Sequence, residues 1–598
     1  MLLQRLVEYA ERRELPPTGY DKTPIRWIID LDSKFTATPN FVGTFSTGKK
    51  NDRGEVRLAP FRERTSTAIR PKLFADDGEY TFGRAKEGKK GDRISHTRKC
   101  HDDYLNLIDL CTVETKNPAV KVISDYLKRW DEKWFPDDFA VDMNFTFRVD
   151  GQLLIDSPDI KSFWAKKFWE FTLEEKDEED ANNEESSVNA MEMECHICGK
   201  TCIPVKRHPF KIKRIPKGQS KGNAIISANK NAFTSFGLEA SLIAPTCSTC
   251  VEAYAKAANA LLQDENTHIE VGPLVYIFWT KEETGVSFAS LLSKPNPSDV
   301  QALIESAYKG KDAAAVVDET KFYASAFSAR GSRVAVRDWI ETTVSSVKQN
   351  LARYFSLQRI VEPNGEQHNP LGLYWLSAAT VPRRKEKPDL DQLNPNVPRV
   401  LLKCALDGNP LPNWLLFQAV KRIKVELSKQ VSRITNHAAI IKMVMLSKET
   451  DKTIQEGKME QLDLTNKEPA YLCGRLLRVI ESIQYEAQGK TNTTVVGRFY
   501  GSASSAPASV FGILLQRAQA NLEKLRKEKE GAYKSLQTKI GSITYPDLKS
   551  FPKTLNLEQQ GLFALGYYHQ RAKDIGDAIA YKAQKENMKN KEEEADNE

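Results

Sequence analysis

The stretch Phe511-Gly-Ile-Leu-Leu-Gln-Arg-Ala-Gln-Ala-Asn-Leu-Glu-Lys-Leu-Arg-Lys527 sets the character of the C-terminal third of this chain. Phe511, Leu514, Leu515, Ala518, Leu522 and Leu525 recur every three or four residues. That period draws one apolar stripe down a helix, and a stripe of this width faces a bundle. Lys524, Arg526 and Lys527 crowd its end. Trp414–Ser428, His437–Leu446, Tyr471–Gln484, Ala508–Lys527 and Leu557–Lys585 have the same spacing. Residues 406–585 are therefore expected to form a helical bundle, followed by a disordered acidic tail at 586–598.

Upstream, the pattern is mixed. Residues 186–405 form a middle region that holds two cysteine pairs, a helix over Cys247–Gln263 and a strand near Val275. Helices at Val300–Ala307 and Val334–Ser356 follow, and then Pro363–Pro398, read as loops around one short apolar stretch. An acidic stretch at 174–185 reads as a linker or loop. Residues 1–173 mix strands and helices. Pro16, Pro17 and Gly19 end the first helix, and Ile25–Leu31 reads as a strand. Gly43–Gly54 is a Gly/Lys-rich loop, and Asn117–Phe135 places Val120, Ile123, Leu127 and Trp130 on one helical side. No fixed-period repeat occurs. The expected class is α+β, multi-domain.

The 598 residues carry a net charge of +7, with 40% hydrophobic and 9% aromatic content. That balance describes a folded multi-domain chain. The mean hydropathy of −0.50 and the lack of a long apolar run exclude a helical membrane span. The best candidate, Val271–Trp279, is interrupted by Gly272 and Pro273. Charges early in Met1–Ala10 make it an amphipathic helix rather than a secretory signal. Nine cysteines, several of them solitary, point to a reducing compartment rather than a disulfide framework.

Positive charge is concentrated. Lys206, Arg207, Lys211, Lys213, Arg214, Lys217 and Lys221 lie in sixteen residues without an acid. Lys49, Lys50, Arg53, Arg57, Arg62, Arg64, Arg70 and Lys72 form a second cluster, and Arg383-Arg384-Lys385 a third. Any one such cluster is also what a solvated face looks like. Several in one chain, offset by acidic segments, are the footprint expected for phosphate backbones.

Cys195-His-Ile-Cys198 is followed by Gly199-Lys200, and Cys247-Ser-Thr-Cys250 comes after 48 intervening residues. Each C-x-x-C can present two thiolates to one tetrahedral ion, and a glycine after the pair lets backbone amides point at sulfur. The four cysteines are expected to bind a structural Zn2+, which with no open position would brace the fold. Cys202, His196 and His208 are spare ligands. Two unrelated pairs of reduced thiols are the alternative, and a thioredoxin-like role lacks its βαβ context.

The segment between the pairs is a candidate contact surface. Gln219, Ser220 and Asn223 sit in a glycine-flanked polar loop, and Asn229 and Lys230 follow. Gln and Asn can bridge base edges where glycine permits close approach. Lys49, Lys50 and Arg53 form a rival loop. An exposed polar loop is otherwise simply a turn. His101-Asp102 lacks the further ligands a metal nuclease needs, and no Walker loop, G-x-S-x-G or H-E-x-x-H occurs. The residues describe a binding protein rather than an enzyme.

Three C-terminal runs sharpen this reading: Tyr471-Leu-Cys-Gly-Arg-Leu-Leu477, Thr493-Thr-Val-Val-Gly-Arg-Phe-Tyr-Gly-Ser-Ala-Ser-Ser-Ala-Pro-Ala-Ser-Val-Phe511, and Leu557-Glu-Gln-Gln-Gly-Leu-Phe-Ala-Leu-Gly-Tyr-Tyr-His-Gln-Arg571. They resemble the large subunit of type I-C CRISPR effector complexes (Cascade), the Csd-type family. Lys217-Gly-Gln-Ser, Ile226-Ser-Ala-Asn, Phe233-Thr-Ser-Phe-Gly237 and Arg70-Pro…Phe74-Ala-Asp-Asp…Tyr80…Gly83 fit the same pattern, so the resemblance spans most of the chain.

The resemblance implies a role in antiviral defence at the base of a complex guided by crRNA. Such a subunit reads a PAM in target double-stranded DNA, supports R-loop opening and holds the displaced strand. It works beside the other Cascade backbone subunits and presents the R-loop to a separate helicase-nuclease. The basic residues Lys206, Arg207, Lys211, Lys213, Arg214, Lys217, Lys221, Arg383, Arg384, Lys524 and Arg526 are then expected on phosphates. Gln219, Ser220, Asn223, Asn229, Lys230, Lys49, Lys50 and Arg53 are expected near the PAM. The helical end resembles a small subunit, which in this family is also translated separately. Gln455-Glu456-Gly457 permits a purine-rich ribosome-binding run just before Met459, with Met443 and Met445 as alternative starts. A stand-alone zinc-containing DNA-binding or repair protein is the other reading of the basic patches.

Overall fold

The computed structural model describes residues 1–34, 38–44, 52–64, 68–85, 92–174, 191–228, 231–309, 319–384, 387–428, 434–449, 457–489, 491, 493–545 and 547–595. The chain divides into two compact units: residues 1–212 with 221–260, and residues 213–220 with 261–598. The class is α+β, with helix dominating the C-terminal region.

The first unit is built on the strand Trp27–Leu31. It runs parallel to Asn144–Val149 and antiparallel to Asn40–Gly43. Asp76–Asp77 and Gln152–Leu153 add to Asn144–Val149. Four of the five residues in Trp27–Leu31 are buried, as a central strand covered on both faces requires. A separate antiparallel pair joins Tyr20–Ile25 to Glu55–Pro60. The helices Asp92–Thr115, Pro118–Leu127 and Pro158–Glu174 supply Tyr104, Tyr126 and Trp164 to the core against Ile29, Phe145 and Phe147. The helix at Pro118 starts as its sequence dictates: Asn117 accepts the Ala119 N–H, and proline takes the first turn. It stops at Leu127, and only a short 3-10 turn, Glu132–Trp134, follows.

The cysteine-bearing segment belongs to this same unit. Glu252 accepts the Gly19 N–H at 3.2 Å, and Lys256 Nζ donates to the Pro16 and Pro17 carbonyls at 2.5 and 2.6 Å. Phe210 packs on Phe168 and Trp169.

In the second unit, His268–Val271, Leu274–Thr280, Lys321–Arg330 and Arg333–Thr343 form an antiparallel sheet in that order. Gly272-Pro273 turns the first hairpin, which is why the apolar run Val271–Trp279 is two strands. The helix expected over Val334–Ser356 is half wrong. Arg333–Thr343 is a strand, and the helix is Val344–Gln358. The β-branched residues Val334, Val336, Ile340, Thr342 and Thr343 suit a pleated strand. Lys321–Arg330 offers it a ladder, and Thr343 caps the helix that follows.

Around this sheet packs one continuous core, from Ile269 to Tyr568, that runs through position 405 without a break. The helices Asn413–Ser428, Thr435–Ser447, Pro469–Gln488, Phe511–Glu528 and Leu557–Ala595 match their sequence pattern. Asn396–Asp407, Val495–Ala503 and Glu530–Thr544 add to them. The last helix extends to Ala595, so residues 586–595 are helical rather than a disordered tail. Lys, Glu, Met and Ala there are strong helix formers, and the preceding turns provide the nucleus. The acidic stretch beyond Glu174 and residues 596–598 lie outside the described residues.

Candidate metal centre and nucleic-acid interface

The two C-x-x-C pairs converge. The ligand sulfurs of Cys195, Cys198, Cys247 and Cys250 all lie within 4.8 Å of one another, the one such group among the described residues. A short hairpin pairs Met193–Glu194 with Thr201–Cys202 and holds the first pair. Its turn is closed by the Gly199 N–H on the Cys195 carbonyl at 2.8 Å, and by the Cys195 N–H on the Lys200 carbonyl at 2.9 Å. Gly199 has φ +72°, the left-handed value that glycine accommodates cheaply. The second pair brackets the first turn of the helix Ser248–Gln263. Two backbone bonds lash the pairs together: His196 N–H to the Pro245 carbonyl at 2.9 Å, and Val205 N–H to the Thr246 carbonyl at 3.0 Å.

The donor set fits zinc. Four sulfurs about 2.3 Å from a tetrahedral centre stand about 3.8 Å from each other, and Cys198 Sγ lies 3.8 Å from Cys247 Sγ. Burial opposes ionisation of Cys195, yet the amides of Cys198, Cys247 and Ile197 bring its thiol down to about 7. Burial raises Cys247 to about 11 against the opposing hydrogen bonds of Cys250, and pushes Cys250 up further; Cys195 adds to both. Four thiols so close cannot all ionise unless a cation compensates them. Of the spare ligands, Cys202 stays outside the cluster, and His208 Nδ1 pairs with the Tyr254 hydroxyl at 2.7 Å. Burial lowers His208 to about 4, which keeps it neutral. His101 Nδ1 meets the Tyr80 carbonyl at 2.9 Å, and among the described residues the His101-Asp102 pair belongs to no metal-ligand group.

The basic residues fall into distinct settings. In the first unit, Arg207 and Lys221 are exposed, Lys206 is half-buried, and Lys211 Nζ pairs with Glu63 at 2.6 Å. The Ile212–Asn223 bridge is closed by two backbone bonds, 2.9 and 2.8 Å, and Asn223 itself is 1% exposed. Its side chain is thus covered rather than presented. Arg53 is exposed, whereas Lys49, Lys50, Asn229 and Lys230 lie outside the described residues.

In the second unit, the segment 213–220 presents Gln219 and Ser220 at its surface, with Lys213 half-buried. Arg214 and Lys217 have φ +59° and +58°, and Lys217 Nζ lies 3.0 Å from Asp391. Arg383 and Arg384 are exposed on a two-residue strand paired with Lys387–Pro388, and Arg384 meets Asp389 at 2.8 Å. Lys385 lies outside the described residues. Lys524 Nζ donates to the Ala487 carbonyl at 2.8 Å, and Arg526 pairs with Glu523 at 3.1 Å. The Lys217–Asp391 and Arg526–Glu523 pairs are exposed on both sides and contribute about 0–1 kcal/mol, so a phosphate can displace the carboxylate there at little cost.

One further surface feature lies inside the run Phe233–Gly237, whose residues alone give no sign that the second phenylalanine is presented to solvent. Phe236 is 97% exposed, at the tip of a bridge between Ser235 and Leu238.

Fold and site together describe a basic α+β chain with a zinc-suited four-cysteine group and a helical C-terminal region. Over residues 4–574 the chain matches the family described as CRISPR-associated protein (Cas_Csd1), and it belongs to that family. It is a CRISPR-associated Cascade large subunit, as its C-terminal motifs imply. No curated protein matches the chain. No described helix is long and apolar enough to cross a membrane.

Proposed function

We propose that this subunit serves a type I-C, crRNA-guided interference complex, in which it reads the PAM, supports R-loop opening and binds the non-target strand. A separate helicase-nuclease is recruited to cut, and this chain supplies binding rather than chemistry. The observation that carries the reading is the family match across residues 4–574. Exposed Gln219 and Ser220 beside Lys217, with backbone turns at Arg214 and Lys217 that ordinary residues avoid, support this loop as the PAM reader. Arg53 is the rival contact. Asn223 anchors the chain that follows the loop through its bridge to Ile212. Lys206, Arg207 and Lys221 serve phosphates. Translation from Met459 would yield a second product of 140 residues that supplies small-subunit copies.

The test is DNA binding by the reconstituted crRNA complex, with and without this chain, on targets differing only in the bases beside the protospacer. Wild type should discriminate among them, and Gln219→Ala/Ser220→Ala should bind all of them weakly. Normal discrimination by that variant moves PAM reading to the Arg53 loop. Binding that is indifferent to omission of the chain overturns the assignment.

A further inference from the structure

We propose that Phe236 is a rigid aromatic finger that stacks on a nucleobase of the target duplex next to the PAM. The proposal deepens the DNA-reading role above and rests on it.

Phe236 and Gly237 are the two central residues of a turn closed by the Leu238 N–H on the Ser235 carbonyl at 2.9 Å. Both are left-handed, with φ +52° and +72°. Two such residues make the tight turn that asparagine and glycine normally occupy. A bulky residue in this conformation is an outlier that carries a conformational cost. Among the described residues no packing offsets that cost, because Phe236 is 97% exposed. Strain of this kind persists where function needs it.

The mount is firm. Below the tip, the Ser241 N–H donates to the Lys206 carbonyl at 2.9 Å, and Ala240–Ile243 form a 3-10 turn. The Pro245 and Thr246 carbonyls then tie the segment to the four-cysteine knuckle. The same bond brings basic Lys206, with Arg207 beside it, to the root of the hairpin. Glu239 is the one acid between Ala232 and Thr246.

The surroundings select the ligand. Ala232 to Gly237 are all exposed, and Phe233 at 43% is the one other large apolar side chain among them. A specific protein interface covers about 800 Å2 on each partner, and among the described residues the tip presents just these two large apolar rings. One ring on a stiff arm with cations at its base matches the recipe for nucleic acid: aromatic stacking plus phosphate attraction. Rigidity favours a stacked duplex step, where apolar wedges insert and unstack neighbouring bases.

The experiment uses the reconstituted crRNA complex and two targets: a fully paired duplex with 2-aminopurine as the first base beside the PAM, and the same sequence pre-opened over the first few pairs. Phe236→Ala is compared with Phe236→Trp. The expected result is about tenfold weaker binding of the paired duplex by Phe236→Ala, the loss of one base–aromatic stack. Binding of the pre-opened target should be unchanged, and Phe236→Trp should bind like wild type. The 2-aminopurine signal should change on binding for wild type and Trp but not for Ala. If Phe236→Ala opens and binds the paired duplex as wild type does, the finger is refuted while the DNA-reading role stands. If both targets weaken equally for Ala and Trp, Phe236 holds the hairpin rather than a base, and the proposal fails. If the wild-type complex is indifferent to this chain, the underlying role fails with it.

Discussion

Two glycines bring the helices Pro469–Gln488 and Leu557–Ala595 into backbone contact. A Cβ added at Gly474 would stand 2.0 Å from the Phe563 carbonyl oxygen and 2.8 Å from the Tyr567 nitrogen. One added at Gly566 would stand 2.2 Å from the Tyr471 carbonyl oxygen. Ordinary contact begins near 3.4 Å, so either alanine forces the helices apart by about 1 Å or more. The layer around the crossing holds Tyr471, Cys473, Leu477, Phe563 and Tyr567, none more than 2% exposed. A gap of 0.5–1 Å forfeits roughly a quarter to a half of each dispersion contact. Overpacking of cores costs about 1–3 kcal/mol and sometimes more. With four large side chains and Cys473 disturbed, we expect about 3 kcal/mol lost for Gly474→Ala and for Gly566→Ala. The sign is diagnostic, because alanine in a helix normally gains about 1 kcal/mol over glycine. Gly541, inside the helix Glu530–Thr544, has nothing within 4 Å of its added Cβ and should show that gain. Urea denaturation followed by helical circular dichroism reads all three. If Gly566→Ala and Gly541→Ala shift the midpoint in the same direction, the close crossing is wrong.

Purified chain should contain one zinc, and Cys247→Ser/Cys250→Ser should contain none and lose structure in the first unit, since structural zinc supplies about 10 kcal/mol of apparent binding energy. Unchanged metal content in that variant would refute the site. Burial, helped by Arg422 and Arg383 at His437 and by Lys442 at His569, lowers both histidines to about 3. Their stabilising neutrality is complete above the unfolded value of about 6.5 and is lost as pH falls toward 3. At pH 5.5 each should cost up to about 1.4 kcal/mol, and His437→Gln should flatten the stability–pH slope between 6.5 and 4. Replacing Lys206 and Arg207 with glutamine should weaken DNA binding about equally for all sequences. It should also shallow the salt dependence by up to about one unit for each phosphate no longer neutralised.

What could be read from the sequence follows from how local each cause is. The stripe from Phe511 to Leu525 predicts its helix because Phe511, Leu514, Ala518, Leu522 and Leu525 are the residues buried. The cysteine cluster was legible because a C-x-x-C turn fixes two sulfurs within a few residues, whatever separates the pairs. Arg333–Thr343 was not legible as a strand. Its apolar residues fit either period, and only the ladder from Lys321–Arg330 decides. Glu530–Thr544 buries just Leu536 and Ile543, too few to draw a stripe. Asn223 looked available for base contact, yet its pairing with Ile212, set by the tertiary structure, covers it. The glycines of Tyr-Leu-Cys-Gly474 and Ala-Leu-Gly566-Tyr stood out as motif before their reason was visible. Each is half of one helix crossing, so neither explains itself alone.

The same crossing bears on the product that would begin at Met459. Helices Pro469–Gln488, Val495–Ala503, Phe511–Glu528, Glu530–Thr544 and Leu557–Ala595 pack on one another within that fragment. The last of them also presses its other side on residues that the fragment would lack. Gly561 lies against Ile441, Leu416 and Met445, and the Tyr568 hydroxyl donates to the Val361 carbonyl at 3.0 Å and meets Thr435 Oγ1 at 3.1 Å. His569 is buried beside Tyr471, 3.0 Å from its hydroxyl. Cut at Met459, the chain keeps its internal bundle and bares this strip. Bared apolar surface seeks a cover. The isolated 459–598 fragment should therefore fold, judged by helical content, yet self-associate or bind a hydrophobic dye. Assembly with the effector complex should abolish both. Substituting Ile441 and Leu416 with alanine in the full chain tests the same packing from the other side: each change should destabilise it by about 2–5 kcal/mol. A fragment that stays monomeric and binds no dye would show that the helix 557–595 has no need of that partner surface.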